Sequence, residues 1–148
     1  MNPTLFLRIT AVLTFIHAVL HTVGGVFGKP DPGAAAVAVA AMQSNRFLVM
    51  GLTRSYADFY LGLGLAVSIF LTAEAIVFWQ FGSLAKTHAY RLRPILATFL
   101  FAYLGLVVNS YLYFFSAPVI TEGLIALSLG MAILTAKPSP IDNSAKLP

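Results

Sequence analysis

Apolar positions along the chain gather into four runs, 5–27, 56–81, 94–115 and 118–136. A helix needs about 20 apolar residues to cross a bilayer, and each run is near or above that length. Pro94 and Pro118 each open a run, at the position where proline's missing N–H costs a helix nothing. Little more than Ser116-Ala117 separates the last two runs, which predicts a tight helical hairpin. The first run is too long for the apolar segment of a signal peptide and is taken as a span. The pattern therefore predicts an all-α fold: a polytopic, antiparallel bundle of four transmembrane helices, formed by residues 1–136 as a single domain.

The loop between the first two runs, 28–55, is the long one. Asp31-Pro32 suggests a helix cap followed by proline at the first helical position, and GAAAVAVAAMQ then suggests a short extra helix. It is too short to span and too apolar to float free in water. Residues 32–43 are expected to cover one end of the bundle or lie in the interface, with Phe47-Leu48-Val49-Met50 continuing the cover. The last twelve residues, KPSPIDNSAKLP, form a polar, proline-rich tail that is expected to be loosely ordered.

Lipid is as apolar as leucine, so membrane helices pack through small and polar residues. A spacing of three and four picks out such a stripe in each run. The first holds Thr10, Thr14, His17, His21, Gly24 and Gly28. The second holds Asp58, Gly62, Leu65, Ile69, Thr72 and Ile76. The third holds Thr98, Ala102, Gly105, Asn109, Leu112 and Ser116, and the fourth Thr121, Ile125, Ser128, Ala132 and Thr135. These stripes are expected to face inward. Glu74 lies about 160° around its helix from Asp58 at 100° per residue, so it has no partner within this scheme.

Composition agrees. The chain is 59% hydrophobic and 9% charged, against roughly 25% charged in soluble domains, too little charge for an ordinary wet surface. Without cysteine there are no disulfides, thiolate metal ligands or Cys nucleophiles. The net charge of +4 comes from basic residues beside the apolar runs, which suits orientation and anionic lipid headgroups better than nucleic acid. Arg8, Lys86, Arg91, Arg93, Lys137 and Lys146 fall on one side of a four-span protein, and Lys29, Arg46 and Arg54 on the other. The positive-inside rule then places both termini in the cytoplasm of a cell whose inner membrane holds the protein.

Depth along the helices, at about 1.5 Å per residue, brings His17, His21, Asp58, Asn109, Thr121 and Glu122 to one level in the outer half. They are expected to wall a polar pocket, with Tyr60 and Tyr111 beside it, although an aromatic belt also explains those tyrosines. His17 and His21, four residues apart, share a helix face. Three uses of them stay open. They can hydrogen-bond between helices and hold the bundle. They can bind the head group of an amphipathic ligand, with Asp58 and Glu122 setting their protonation, Asn109 orienting the ligand and proton transfer as the available chemistry. They can hold a metal, with Asp58 or Glu122 as third ligand, although the glutamate of an HExxH motif is missing. An internal bis-His haem is not expected, because His88 falls in the loop 82–93. Nothing resembles a nucleotide site or a Ser-His-Asp order.

In its four spans, its long first outer loop and a first helix ending in HTVGGVFG, the chain resembles the small DoxX-like bacterial membrane proteins. The second span, YADFYLGLGLAVSIFLTAEAIVFWQ, is similar in character. The resemblance implies a role near quinol oxidation or within a larger membrane complex, and transfers no functional residue. The expected partners are membrane lipids, a quinone or isoprenoid, and other membrane subunits or further copies of the chain. The leading expectation is an amphipathic-ligand protein. The others are an accessory subunit without chemistry and a metal-dependent membrane enzyme.

Overall fold

The computed structural model describes residues 2–138, and helices hold 82% of them. The elements in order are α1 (Pro3–Leu20), a π-helical continuation (His21–Val26), α2 (Ala34–Ser44), β1 (Arg46–Val49), β2 (Leu52–Ser55), α3 (Tyr56–Tyr113) and α4 (Ser116–Thr135). Three helices are long and apolar enough to cross a membrane: Pro3–Val26, Tyr56–Tyr113 and Ser116–Thr135. The chain divides into two compact units. One combines Met1–His17 with Leu71–Pro148, described over 2–17 and 71–138, and the other is Ala18–Phe70.

In the first unit α3 is two helices. His88, at φ −129° and ψ 32°, breaks it. The Tyr103 hydroxyl donates to Glu74 Oε2 at 2.7 Å. Those residues would stand about 44 Å apart in an unbroken helix, so the chain reverses between them. Phe78 and Phe99, whose rings meet edge to face at 4.9 Å, are symmetric about the same corner. With α1, the two arms of α3 and α4, the expected four-helix count is met. The loop expected at 82–93 is instead helical up to a one-residue corner, and the helix after it begins before Pro94, which lies inside it. Hydropathy falls there, but Gly82, Ala85, Leu92 and Leu96 carry the buried stripe past the polar residues, so the helix continues.

The core of this unit joins Leu7 and Ala11 of α1, Phe78, Leu96 and Tyr103 of α3, and Ile125 and Leu129 of α4. The Ser128 hydroxyl donates to the Phe6 carbonyl at 2.9 Å and ties α4 to α1. The start of α1, the end of α4 and the region just before the α3 corner share one end, where Asn2, Thr4, Lys86, Thr87 and Lys137 line a common cleft.

Two expected inner faces are corrected. On α3 the buried stripe in this unit is Leu71, Ala75, Phe78, Gly82 and Ala85, then Leu92, Leu96, Tyr103 and Ser110. Ile69 and Ile76 point outward, as do Thr98, Ala102, Gly105, Asn109 and Leu112. Small residues in the third run predict its packing face. The packing is instead made by large residues that fill the space between helices. The stripes of α1 over Thr10–His17 and of α4 over Ile125–Ala132 lie inside as expected.

The second unit holds the long loop 28–55, and here the all-helical expectation fails. Residues 46–55 form an antiparallel hairpin with Val49 opposite Leu52. Met50 and Gly51 turn it with φ of 49° and 84°, the paired positive values that a two-residue type I′ turn requires. Phe47–Met50 is thus strand and turn, with Met50 99% exposed. The short helix is present, but it starts at Ala34 after Gly33, whose φ of 94° no helical residue adopts. Asp31-Pro32 therefore does not cap it, and no residue of α2 is buried.

Candidate functional site: carboxyls inside the helical core

Three local networks account for most of the expected site residues. In the second unit β2 runs straight into α3, and Ser55 caps the helix. Its N–H donates to Asp58 Oδ2 at 2.8 Å, and the Asp58 N–H donates to Ser55 Oγ at 3.2 Å. This is a capping box, with Asp in the usual Glu position. Arg46 stands 3.9 Å from the same carboxylate. Asp58 is thus engaged at the helix start and does not pair with a histidine.

His21 opens the π-helical turn, where the Phe27 N–H reaches back five residues to the Thr22 carbonyl at 3.0 Å. Its Nε2 lies 3.1 Å from the Gly64 carbonyl of α3. A carbonyl only accepts, so Nε2 carries the proton. The Thr22 hydroxyl stands 2.7 Å from the Ala18 carbonyl and 2.8 Å from the Ser68 hydroxyl, which donates to Gly64 O at 3.1 Å. A Cβ on Gly64 would sit 2.9 Å from a methyl of Val26, so glycine leaves room for that side chain here. His21 performs the interhelical bonding that was one of its three open uses.

The third network lies in the core of the first unit. Tyr103 is 1% exposed and is held by Glu74. Glu122, 5% exposed, accepts from Ser110 at 3.0 Å through Oε1, while Oε2 is buried without a hydrogen-bond partner. Thr14 returns its own proton to the Thr10 carbonyl at 2.9 Å. His17, 9% exposed, lies on the same stripe of α1. A half-buried carboxyl of α3 thus bonds a buried phenol, while a second carboxyl, on α4, is buried in the same unit beside a hydroxyl of α3. A carboxyl and a phenol 2.7 Å apart can share and pass a proton.

The remaining expected residues stand elsewhere. Asn109, Tyr60 and Tyr111 are exposed, and the Thr121 hydroxyl bonds carbonyls of its own helix, Ala117 at 3.1 Å and Pro118 at 3.0 Å. Among the described residues no three His, Asp or Glu side chains come together to hold a metal, so the third ligand expected from Asp58 or Glu122 is not supplied. Tyr103, Ser110 and the inward placement of Glu74 were missed. The available signal was a seven-residue spacing, Leu96, Tyr103 and Ser110, which continues the face that Leu92 begins. No family profile, curated protein or solved structure matches this chain.

Proposed function

We propose that the protein is an integral membrane protein of four antiparallel crossings, with both termini cytoplasmic, that binds an amphipathic molecule such as a quinone, an isoprenoid or a lipid. It exchanges protons with the head group through Glu122, Tyr103 and Glu74. One observation carries the reading: a buried phenol bonds the half-buried Glu74 carboxyl, and the Glu122 carboxyl is buried in the same helical unit with one oxygen that still lacks a partner. Ionisable groups at membrane depth are costly and mark proton or ligand chemistry. The likeness in plan to DoxX-like proteins points the same way but adds no residue to the site.

The test is difference infrared spectroscopy on protein reconstituted in phosphatidylcholine vesicles, with a short-chain quinol as probe. Addition of the quinol is expected to change a protonated-carboxyl band, and Glu122→Gln is expected to remove that change. No change in the wild type, or the same change in the variant, refutes the reading. Loss of the change in His21→Leu, but not in Glu122→Gln, would return the head group to the histidine face.

A second reading, an accessory subunit or an oligomer, is favoured by the outward face of α3 that carries Thr98, Ala102, Gly105 and Asn109. An asparagine turned toward lipid leaves its amide unsatisfied, and a neighbouring helix would satisfy it. Mild extraction that keeps other chains in fixed ratio, and loses them in Asn109→Leu, would favour this role.

A further inference from the structure

We propose that Arg8, Trp79 and Ser83 bind the anionic head group of a membrane lipid, whose acyl chain lies in the apolar cleft next to them. The Arg8 guanidinium carbon sits 3.6 Å from the centre of the Trp79 ring, and Nη2 donates to Ser83 Oγ at 2.8 Å. Nη1 is buried without a hydrogen-bond partner. Among the described residues no carboxylate lies within 4.0 Å of Arg8. A cation held this way, half-buried on a ring face and lacking a counter-ion, calls for an anion to neutralise it.

The place is made for the guanidinium. A Cβ on Gly82 would stand 3.0 Å from Arg8 Nε, so glycine leaves room for the group to lie flat against α3. Along the helices from that charge runs a cleft of about 300 Å³ lined by Ala11, Val12, Phe15, Ala75, Ile76 and Trp79. Trp79 belongs to both parts, since its ring lies under the cation and it also lines the cleft. A cation leading into an apolar trough has the chemistry of a phospholipid: phosphate at one end and hydrocarbon at the other. Free phosphate would use only half of it. Arg8 is also near the chain start, at the end of the unit for which cytoplasmic orientation is proposed, and anionic lipids are concentrated in the leaflet facing that side.

The inference needs the membrane assignment but not the proton chemistry of Glu122. Trp79 is the single tryptophan of the chain and reports on the site directly. Its fluorescence is measured in phosphatidylcholine vesicles that contain either brominated phosphatidylglycerol or brominated phosphatidylcholine. The anionic lipid is expected to compete for the site about fivefold better than the neutral one. Arg8→Gln should bring the ratio to about one with the helical circular dichroism unchanged, and Arg8→Lys should keep part of the preference. Gly82→Val, which crowds the guanidinium from α3, should lower the ratio with Arg8 intact. Equal quenching by both lipids in the wild type overturns the proposal. So does loss of the preference on adding inorganic phosphate at constant ionic strength, which would mark a free-anion site. Quenching by neither lipid overturns the membrane assignment and the proposal with it.

Discussion

Replacing Tyr103 with phenylalanine removes one oxygen and leaves the rest of the core in place. The ring still packs against Phe78, whose centroid is 6.4 Å away, so no cavity opens. What is lost is the bond to Glu74 Oε2 at 2.7 Å. Bonds to charged groups contribute about 1.5–3 kcal/mol in water-soluble proteins, and interhelical bonds in membranes average nearer about 0.6 kcal/mol. Glu74 is only half-buried, which favours the lower end. The expected cost is about 1 kcal/mol, a factor of about five in the unfolding equilibrium. Tyr103→Ala, which empties the ring site, should cost about 3–5 kcal/mol. The assay is reversible unfolding in mixed micelles with a denaturing detergent, followed by circular dichroism, within a double-mutant cycle with Glu74→Gln. A coupling energy near zero between the two sites would refute the bond and the placement of Glu74 on the inner face.

Other expectations concern the loop 28–55 and the helix start that follows it. Ser55→Ala breaks the capping box and should cost about 1 kcal/mol, seen as faster amide hydrogen exchange in the first turn of α3. An unchanged exchange rate would show that Asp58 alone holds that turn. Gly51→Ala forces a Cβ onto φ of 84° and should weaken the hairpin by about 1 kcal/mol. Met50→Asn, at a position with φ of 49°, should strengthen it, because asparagine tolerates that region better. Exchange rates across 46–55 measure both, and equal shifts in the same direction would refute the turn assignment.

Some features were legible because they follow from the chain's own chemistry. Apolar runs near 20 residues gave the four long helical segments, and threonines and a histidine at spacings of three and four gave the buried face of α1. The short helix at Ala34–Ser44 followed from an alanine-rich run, although its start was misplaced because the backbone of Gly33, not the Asp31 side chain, decides it. The hairpin is not legible, because the apolar residues Phe47–Met50 read equally as cover, while Met50 and Gly51 supply the positive φ that turns the chain. In α3 the small-residue rule chose the wrong face. Small residues allow close approach but do not compel it, and Phe78, Leu96 and Tyr103 won the interior by filling volume between three other helices. The partners of the polar residues were least legible. Asp58 lies in a run of its own and finds Ser55 three residues away, whereas Glu74 and Tyr103 meet across 29 residues only because the helix reverses at His88. The sequence by itself determined how many helices there are and how apolar they must be, since those depend on local propensity and hydropathy. Only the tertiary structure decided which faces meet and which carboxyl finds which hydroxyl, because helix rotation is set by the simultaneous packing of several helices and no single run contains it.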